Sequence, residues 1–154
     1  MKITNVMTHA AVLQDHGESL VDAAKRMCEE KTGYLLVLEG DGMLGIITER
    51  DILQAVADGK PLDATKVKDV MKTDVVTAHA STTLREAAKL MTEHWIRHLP
   101  VVDGGKLVGV ISQRDLAGVL SGALNEADAL NRLIEASEHA REERLHRIEK
   151  GAWD

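Results

Sequence analysis

The sequence predicts an α/β protein made of two tandem β-α-β-β-α repeats related by pseudo-twofold symmetry, followed by a C-terminal helix. Three observations carry this. Residues 3–57 align with residues 67–121 without a gap, so one unit occurs twice. Each unit holds an apolar pattern at helical spacing. Each then holds two apolar runs joined by a glycine-containing turn, which is a hairpin signal.

The matches spread over the whole unit, among them Val6/Val70, Met7/Met71, Leu20/Leu84, Ala23/Ala87, Met27/Met91, Leu35/Leu99, Val37/Val101, Gly45/Gly109, Ile47/Ile111 and Arg50-Asp51/Arg114-Asp115. Two copies are too few for an open solenoid, so a closed pair sharing a core is expected. The chain divides into a first repeat (1–58), a linker (59–66), a second repeat (67–122) and a helical extension (123–154).

The elements follow in order. Short strands are expected near Ala11–Leu13 and Val75–Thr77. In "STTLREAAKLMTEHW", Leu84, Ala87, Ala88 and Met91 lie on one helical face and Ser81 to Thr83 offer caps; Leu20 to Met27 form the twin helix. In "HLPVVDGGKLVGVIS", the runs Leu99–Val102 and Leu107–Ile111 flank Asp103-Gly104-Gly105, and "YLLVLEGDGMLGIIT" repeats the pattern. A second helix begins at the hydroxyl residue, Thr48 or Ser112. Pro61 and Gly59 mark the linker "ADGKPLDATKV" as aperiodic connection.

Composition narrows the function. The 154 residues are 44% apolar, enough for a core, yet only 2% aromatic with no Phe, so Val, Ile, Leu, Met and Ala must fill it. Few stacking surfaces and a net charge of −6 argue against nucleic acid as a partner. Cys28 cannot form an internal disulfide and reads as a small buried thiol. With no apolar run of signal-peptide or membrane-spanning length, the expectation is a soluble cytoplasmic protein with no membrane partner.

"LGIITERDIL" and "VGVISQRDLA" carry the same chemistry twice, as Gly45/Thr48/Arg50/Asp51 and Gly109/Ser112/Arg114/Asp115. Two readings of this motif are open. As a capping box, the hydroxyl accepts a backbone N–H at the helix start and the acid reaches back. As a ligand site, the same helix start offers N–H groups and partial positive charge to a phosphate, with the hydroxyl and arginine as further donors. The aspartate can then accept from a ribose diol, and glycine before the helix lets a ligand approach the backbone.

Given those residues, with "VKDVMKTDVVTAHASTTLREAAKLMTEHWIRHLPVVDGGKLVGVISQRDL" as second unit, the pair resembles the cystathionine β-synthase (CBS) domain family, whose nucleotide-contact motif is G-x-x-[ST]-x-x-D. The resemblance covers about residues 3–121. It implies a tandem pair, or Bateman module, that regulates rather than catalyses. Its regulatory ligand would be an adenosyl nucleotide such as AMP, ADP, ATP, NAD or S-adenosylmethionine, with no other cofactor. By the same resemblance Thr48 and Ser112 face phosphate, Asp51 and Asp115 hold ribose, and Ala11, Val75, Tyr34, Leu35, Arg97 and His98 approach base or phosphate. Arg50 and Arg114 are further phosphate donors or solvated charges. The first unit has Gly33, Tyr34 and Leu36 where the second has Arg97, His98 and Pro100, so the two sites are expected to be unequal.

Other patterns weigh less. His94 and His98 stand four apart, but the helix ends near Trp95 to Arg97, so a shared zinc-binding face is not expected. Equivalent methionines favour core filling over a soft-metal site. No nucleophile pair or P-loop points to an enzyme. In the extension, Leu130, Ile134, Ser137, Arg141, Leu145 and Ile148 form a seam apolar only at its ends, which suits docking on a module surface or partner better than a continuous coiled coil. The expectation is a homodimeric nucleotide-binding regulator of an unknown target. The rivals are an interaction module without ligand binding, and a nucleotide-hydrolysing or nucleotide-transferring enzyme.

Overall fold

The computed structural model describes residues 1–9, 11–40, 42–123, 137, 138, 142 and 146. The seam of the C-terminal extension lies outside the described residues apart from Ser137, which is helical and exposed. Residues 1–116 form one compact unit.

Two three-stranded sheets build this unit. In the first, β1 (Leu13–Gln14) runs parallel to β2 (Tyr34–Glu39), which pairs antiparallel with β3 (Gly42–Thr48). In the second, β4 (Ala78–His79), β5 (His98–Asp103) and β6 (Lys106–Ser112) repeat the order. Helices α1 (Leu20–Glu29) and α3 (Leu84–Glu93) follow the short strands, and α2 (Glu49–Ala57) and α4 (Gln113–Ala123) follow the hairpins. The β-α-β-β-α order expected from the repeat is therefore present twice. The short strands lie two to three residues later than expected, because the Val12 carbonyl only accepts from the Leu36 N–H and true pairing starts at Leu13↔Leu36.

Local chemistry explains the boundaries. Ser19 and Thr83 cap α1 and α3, each in a reciprocal box with the acid three residues on, Asp22 or Glu86. Gly104 and Gly105 take φ of +54° and +79° in the two-residue turn of the second hairpin, a conformation that costs other residues most. Cys28 is exposed, contrary to expectation: Leu20, Ala23 and Met27 form the buried face of α1, and the next residue points about 100° away from it.

Strand alternation distributes the core. Leu35, Val37 and Ile47 face α1 and α2, while Tyr34, Leu36, Ile46 and Val110 meet between the two sheets. Leu99, Val101 and Ile111 pack with Ala87 and Met91 of α3. The hairpin strands are thus buried on both faces, which accounts for their continuous apolar runs.

The cores are not divided as the repeats are. Ile3, in a 3-10 turn over Ile3–Asn5, is fully buried among Leu99, Val101, Ile111 and Met91 of the second half. Val67, in the matching turn Val67–Asp69, is fully buried among Leu20, Leu35 and Ile47 of the first. Backbone bonds hold both leading segments in place: Thr8 and Val110 exchange N–H···O bonds of 2.9 Å each, and Lys72 and Ile46 do the same at 2.8 and 2.9 Å. Each repeat therefore plugs the core of the other. The linker also returns to the first half, where Thr65 accepts from the Leu20 N–H at 3.0 Å and Leu62 packs on the core.

This exchange corrects the reading of Gly45 and Gly109 as openings for a ligand. A Cβ at Gly45 would stand 2.7 Å from the Lys72 carbonyl oxygen and 3.0 Å from the Met71 sulfur; at Gly109 the same distances run to Thr8 and Met7. The backbone that approaches is the exchanged segment. Gly109→Ala or Gly45→Ala should accordingly cost about 1–3 kcal/mol, since backbone rather than a flexible side chain must move. Urea unfolding followed by circular dichroism checks this, and a variant as stable as the wild type would show that the segments are not clamped.

Candidate functional site

The start of α4 organises a cleft. The Asp115 carboxylate accepts, through Oδ2 alone, from the Ser112 N–H and the Ser112 hydroxyl, both at 2.7 Å, while the Asp115 N–H donates to Ser112 Oγ at 3.3 Å. The start of α2 is built identically from Thr48 and Asp51, with distances of 2.7, 2.7 and 3.4 Å. The capping-box reading is thus satisfied in full at both helices. It does not exhaust the aspartates, because Oδ1 carries neither of the two bonds.

A cavity of about 430 Å³ opens in front of Ser112 and Asp115. Arg97, His98, Val110, Gln113 and Arg114 line it from the second half, and Lys31, Thr32, Gly33 and Tyr34 from the first. Thr8 completes it from the exchanged leading segment. Lys31 owes its place to a left-handed turn, φ 52°, in which Lys31 and Thr32 donate N–H bonds to the Cys28 and Met27 carbonyls and end α1. Trp95 ends α3 in the same way at φ 54°. A non-glycine residue in this conformation costs about 1 kcal/mol, so position 31 accepts strain to carry its side chain.

Three cations, Lys31, Arg97 and Arg114, and one carboxylate, Asp115, face this space. Arg97 also forms an ion pair with Glu49, the first residue of α2, and so bridges the two halves. Tyr34 and His98 meet as a tilted ring pair, centroids 4.5 Å apart at 38°. Burial holds the His98 pKa below its usual value, helped by Arg97 and Arg114 and opposed by Glu49 and Asp115, so the imidazole is mainly neutral at pH 7. Burial, then the Asp115 charge, pushes the Tyr34 hydroxyl up.

Six residues singled out in the sequence line this cleft: Tyr34, Arg97, His98, Ser112, Arg114 and Asp115. Thr48, Arg50 and Asp51 stand at the α2 start, outside this lining. Leu35 has no exposed surface and lies in the first core, because neighbouring strand residues point to opposite faces and Tyr34 takes the cleft side. Ala11 and Val75 pack among the apolar residues between the sheets. Sequence reasoning missed Thr8, Lys31, Thr32, Val110 and Gln113. Thr8 belongs to no motif and reaches the cleft through the exchange of the leading segment, where it pairs with Val110.

Chemically the cleft offers an apolar wall at Tyr34, His98 and Val110, a carboxylate, and cations at its mouth. That set suits a ligand with a flat base, a diol and negative charge. His94 caps the end of α3 while His98 begins β5, so the two share no helical face. Among the described residues no three His, Cys, Asp or Glu side chains are grouped to hold a metal, and no helix is long and apolar enough to cross a membrane.

Comparison with known proteins agrees with this architecture. The CBS domain family model matches residues 3–58 and 67–122. YhcV, a CBS domain-containing protein of Bacillus subtilis (strain 168), is 34% identical over 116 residues, covering 75% of this chain and 82% of that one. Against protein MK0525 of Methanopyrus kandleri, by contrast, the chain spans only 54% of the relative's length. Among solved structures, the CBS domain pair of protein MJ0100 in complex with 5′-methylthioadenosine and S-adenosyl-L-methionine superposes with a TM-score of 0.73 at 25% identity, covering 80% of this chain and 98% of that one. CBSX2 in complex with AMP gives 0.70 at 26%, covering 79% and 97%. Two matched repeats, two sheets in the same strand order and two identically capped helix starts lead to one conclusion: the chain belongs to the CBS domain family, as a tandem pair.

Proposed function

We propose that this CBS pair is a regulatory module that takes an adenosyl nucleotide in the cleft before α4 and passes occupancy on as a change of arrangement. The observation that carries the reading is the convergence of Asp115, the Tyr34–His98 wall and three cations on one cavity. Asp115 Oδ1 accepts from the ribose hydroxyls, Tyr34, His98 and Val110 flank the base, and Lys31, Arg97 and Arg114 meet phosphate. Thr48, Arg50 and Asp51 supply the matching half of a second, unequal site. That CBS pairs have been solved with AMP, methylthioadenosine and S-adenosylmethionine supports the ligand class. Regulation requires that the ligand bind two arrangements unequally, since equal affinity shifts nothing.

One observation favours the rival interaction module: both capping boxes are complete from their own residues. A thermal-shift panel of AMP, ADP, ATP, NAD, NADH and S-adenosylmethionine, with GTP as control, separates the two. A rise in Tm with adenosyl ligands alone is expected, because a ligand that binds only the folded state stabilises it; no shift with any of them at about 1 mM overturns the reading. Asp51→Ala and Asp115→Ala should each lose about 1 kcal/mol, through the hydrogen bonds that the capping box gives up. Asp115→Ala should in addition lose at least about tenfold in affinity, the worth of a charge-assisted hydrogen bond. Unchanged affinity would leave Asp115 as a cap only.

His98 gives the free protein a pH dependence. Its folded pKa is below the unfolded value, so on acidification the unfolded chain takes up a proton that the fold resists. Stability from this group is complete above the unfolded value near 6.5 and falls as pH drops below it. His98→Gln should flatten the decline in Tm between about pH 7 and 5; an unaltered slope would show that His98 does not contribute.

The proposal includes a homodimer. Leu53 and Val56 on α2 are 68% and 52% exposed, apolar surface that a second copy would cover. Sedimentation equilibrium should find a dimer that Leu53→Glu dissociates, and a monomeric wild type would remove the dimer from the proposal.

A further inference from the structure

Glu49 lies outside the cleft lining, yet its carboxylate is bonded to a guanidinium that lines it. The arrangement depends on a difference between the repeats. Position 49 is an acid where its counterpart, Gln113, is a neutral amide on the cleft wall, and position 33 is Gly where its counterpart is Arg97. A Cβ at Gly33 would stand 3.2 Å from Glu49 Cδ and 3.3–3.4 Å from its oxygens, so the missing side chain makes the space in which Glu49 lies. From there Glu49 meets Arg97 Nη2 across the two halves. Its charge also reaches the wall of the cleft, where it opposes the depression of the His98 pKa.

We infer that Glu49 sets the charge selectivity of the cleft by competing with ligand phosphate for Arg97. The inference rests on the nucleotide-binding reading above and adds to it a residue that touches no ligand. Both partners are about half exposed, with side chains 52% and 55% accessible, so the pair is screened and exchangeable rather than locked. A ligand that carries phosphate must share Arg97 with Glu49 or take it; a ligand without phosphate leaves the pair alone. Glu49 is therefore a positioning residue that penalises anionic ligands and is indifferent to uncharged ones. Because it begins α2 in the first half while Arg97 precedes β5 in the second, phosphate binding also loosens a tie between the halves. By linkage, loosening that tie favours phosphate to the same degree.

Isothermal titration of AMP and of methylthioadenosine into the wild type, Glu49→Gln, Arg97→Gln and the double variant tests this. Glu49→Gln should tighten AMP about threefold, the effect of removing one screened charge near another, and leave methylthioadenosine unchanged. In the Arg97→Gln background the same substitution should do nothing to AMP, and unchanged Tm values show that each variant folds. Equal tightening of both ligands, or an effect on AMP that survives loss of Arg97, overturns the inference. If the wild type binds both ligands and Glu49→Gln alters neither, the inference falls and the nucleotide reading stands. If the wild type binds neither, both fall.

Discussion

The carbonyl oxygens of Thr8 and Lys72 occupy the space where side chains at positions 109 and 45 would otherwise be, and the architecture depends on that contact. Without it Ile3 and Val67 would have no route into the opposite cores, and each core would lose a fully buried side chain. The cleft depends on it as well. Thr8 reaches the cavity only because its backbone is paired on both sides with Val110, the residue next to Gly109. One steric requirement, room for a backbone beside two glycines, thus joins the packing of the core to the lining of the site.

The helix starts beside the cleft are organised by their own residues. Ser112 and Thr48 spend their hydroxyl hydrogens on aspartate, and each aspartate spends a single oxygen in return. This fixes the remaining oxygen of Asp115 without using it, so in the proposed reading little ordering entropy would be lost on binding a diol. The charges show a similar restraint. Three cations surround one carboxylate, but Arg97 is already partnered and His98 is kept neutral by burial. The excess of positive charge in the cleft is smaller than the residue types suggest.

Much of the fold was legible because periodicity reports it directly. The helix faces of Leu20–Met27 and Leu84–Met91, the glycine turn at Asp103–Gly105 and the hydroxyl caps at Thr48 and Ser112 are local patterns, and each element formed where its pattern stood. The exchange of Ile3 and Val67 was not legible, since an ungapped repeat reads the same whether a segment packs on its own unit or on the other. The cleft divides along the same line. Arg97, His98, Ser112 and Asp115 lie in or beside motifs, whereas Lys31 arrives through a left-handed residue that is not glycine, and Leu35 is turned away by simple strand alternation. Cys28 sits one step past a core methionine, where composition is blind and helical phase decides.

The exchanged segments are equivalent in space but not along the chain. Val67 joins a core whose other members lie between Leu20 and Ala55, so a single short closure completes it. Ile3, with Met7, joins a core whose remaining members begin at Ala78 and end at Ile111, and the two must wait for them across most of the module. Loop-closure entropy rises with the length enclosed, and non-local contacts form late. In a module that is symmetric when finished, loop closure therefore favours completing the first core before the second, with the first residues of the chain among the last to find their place.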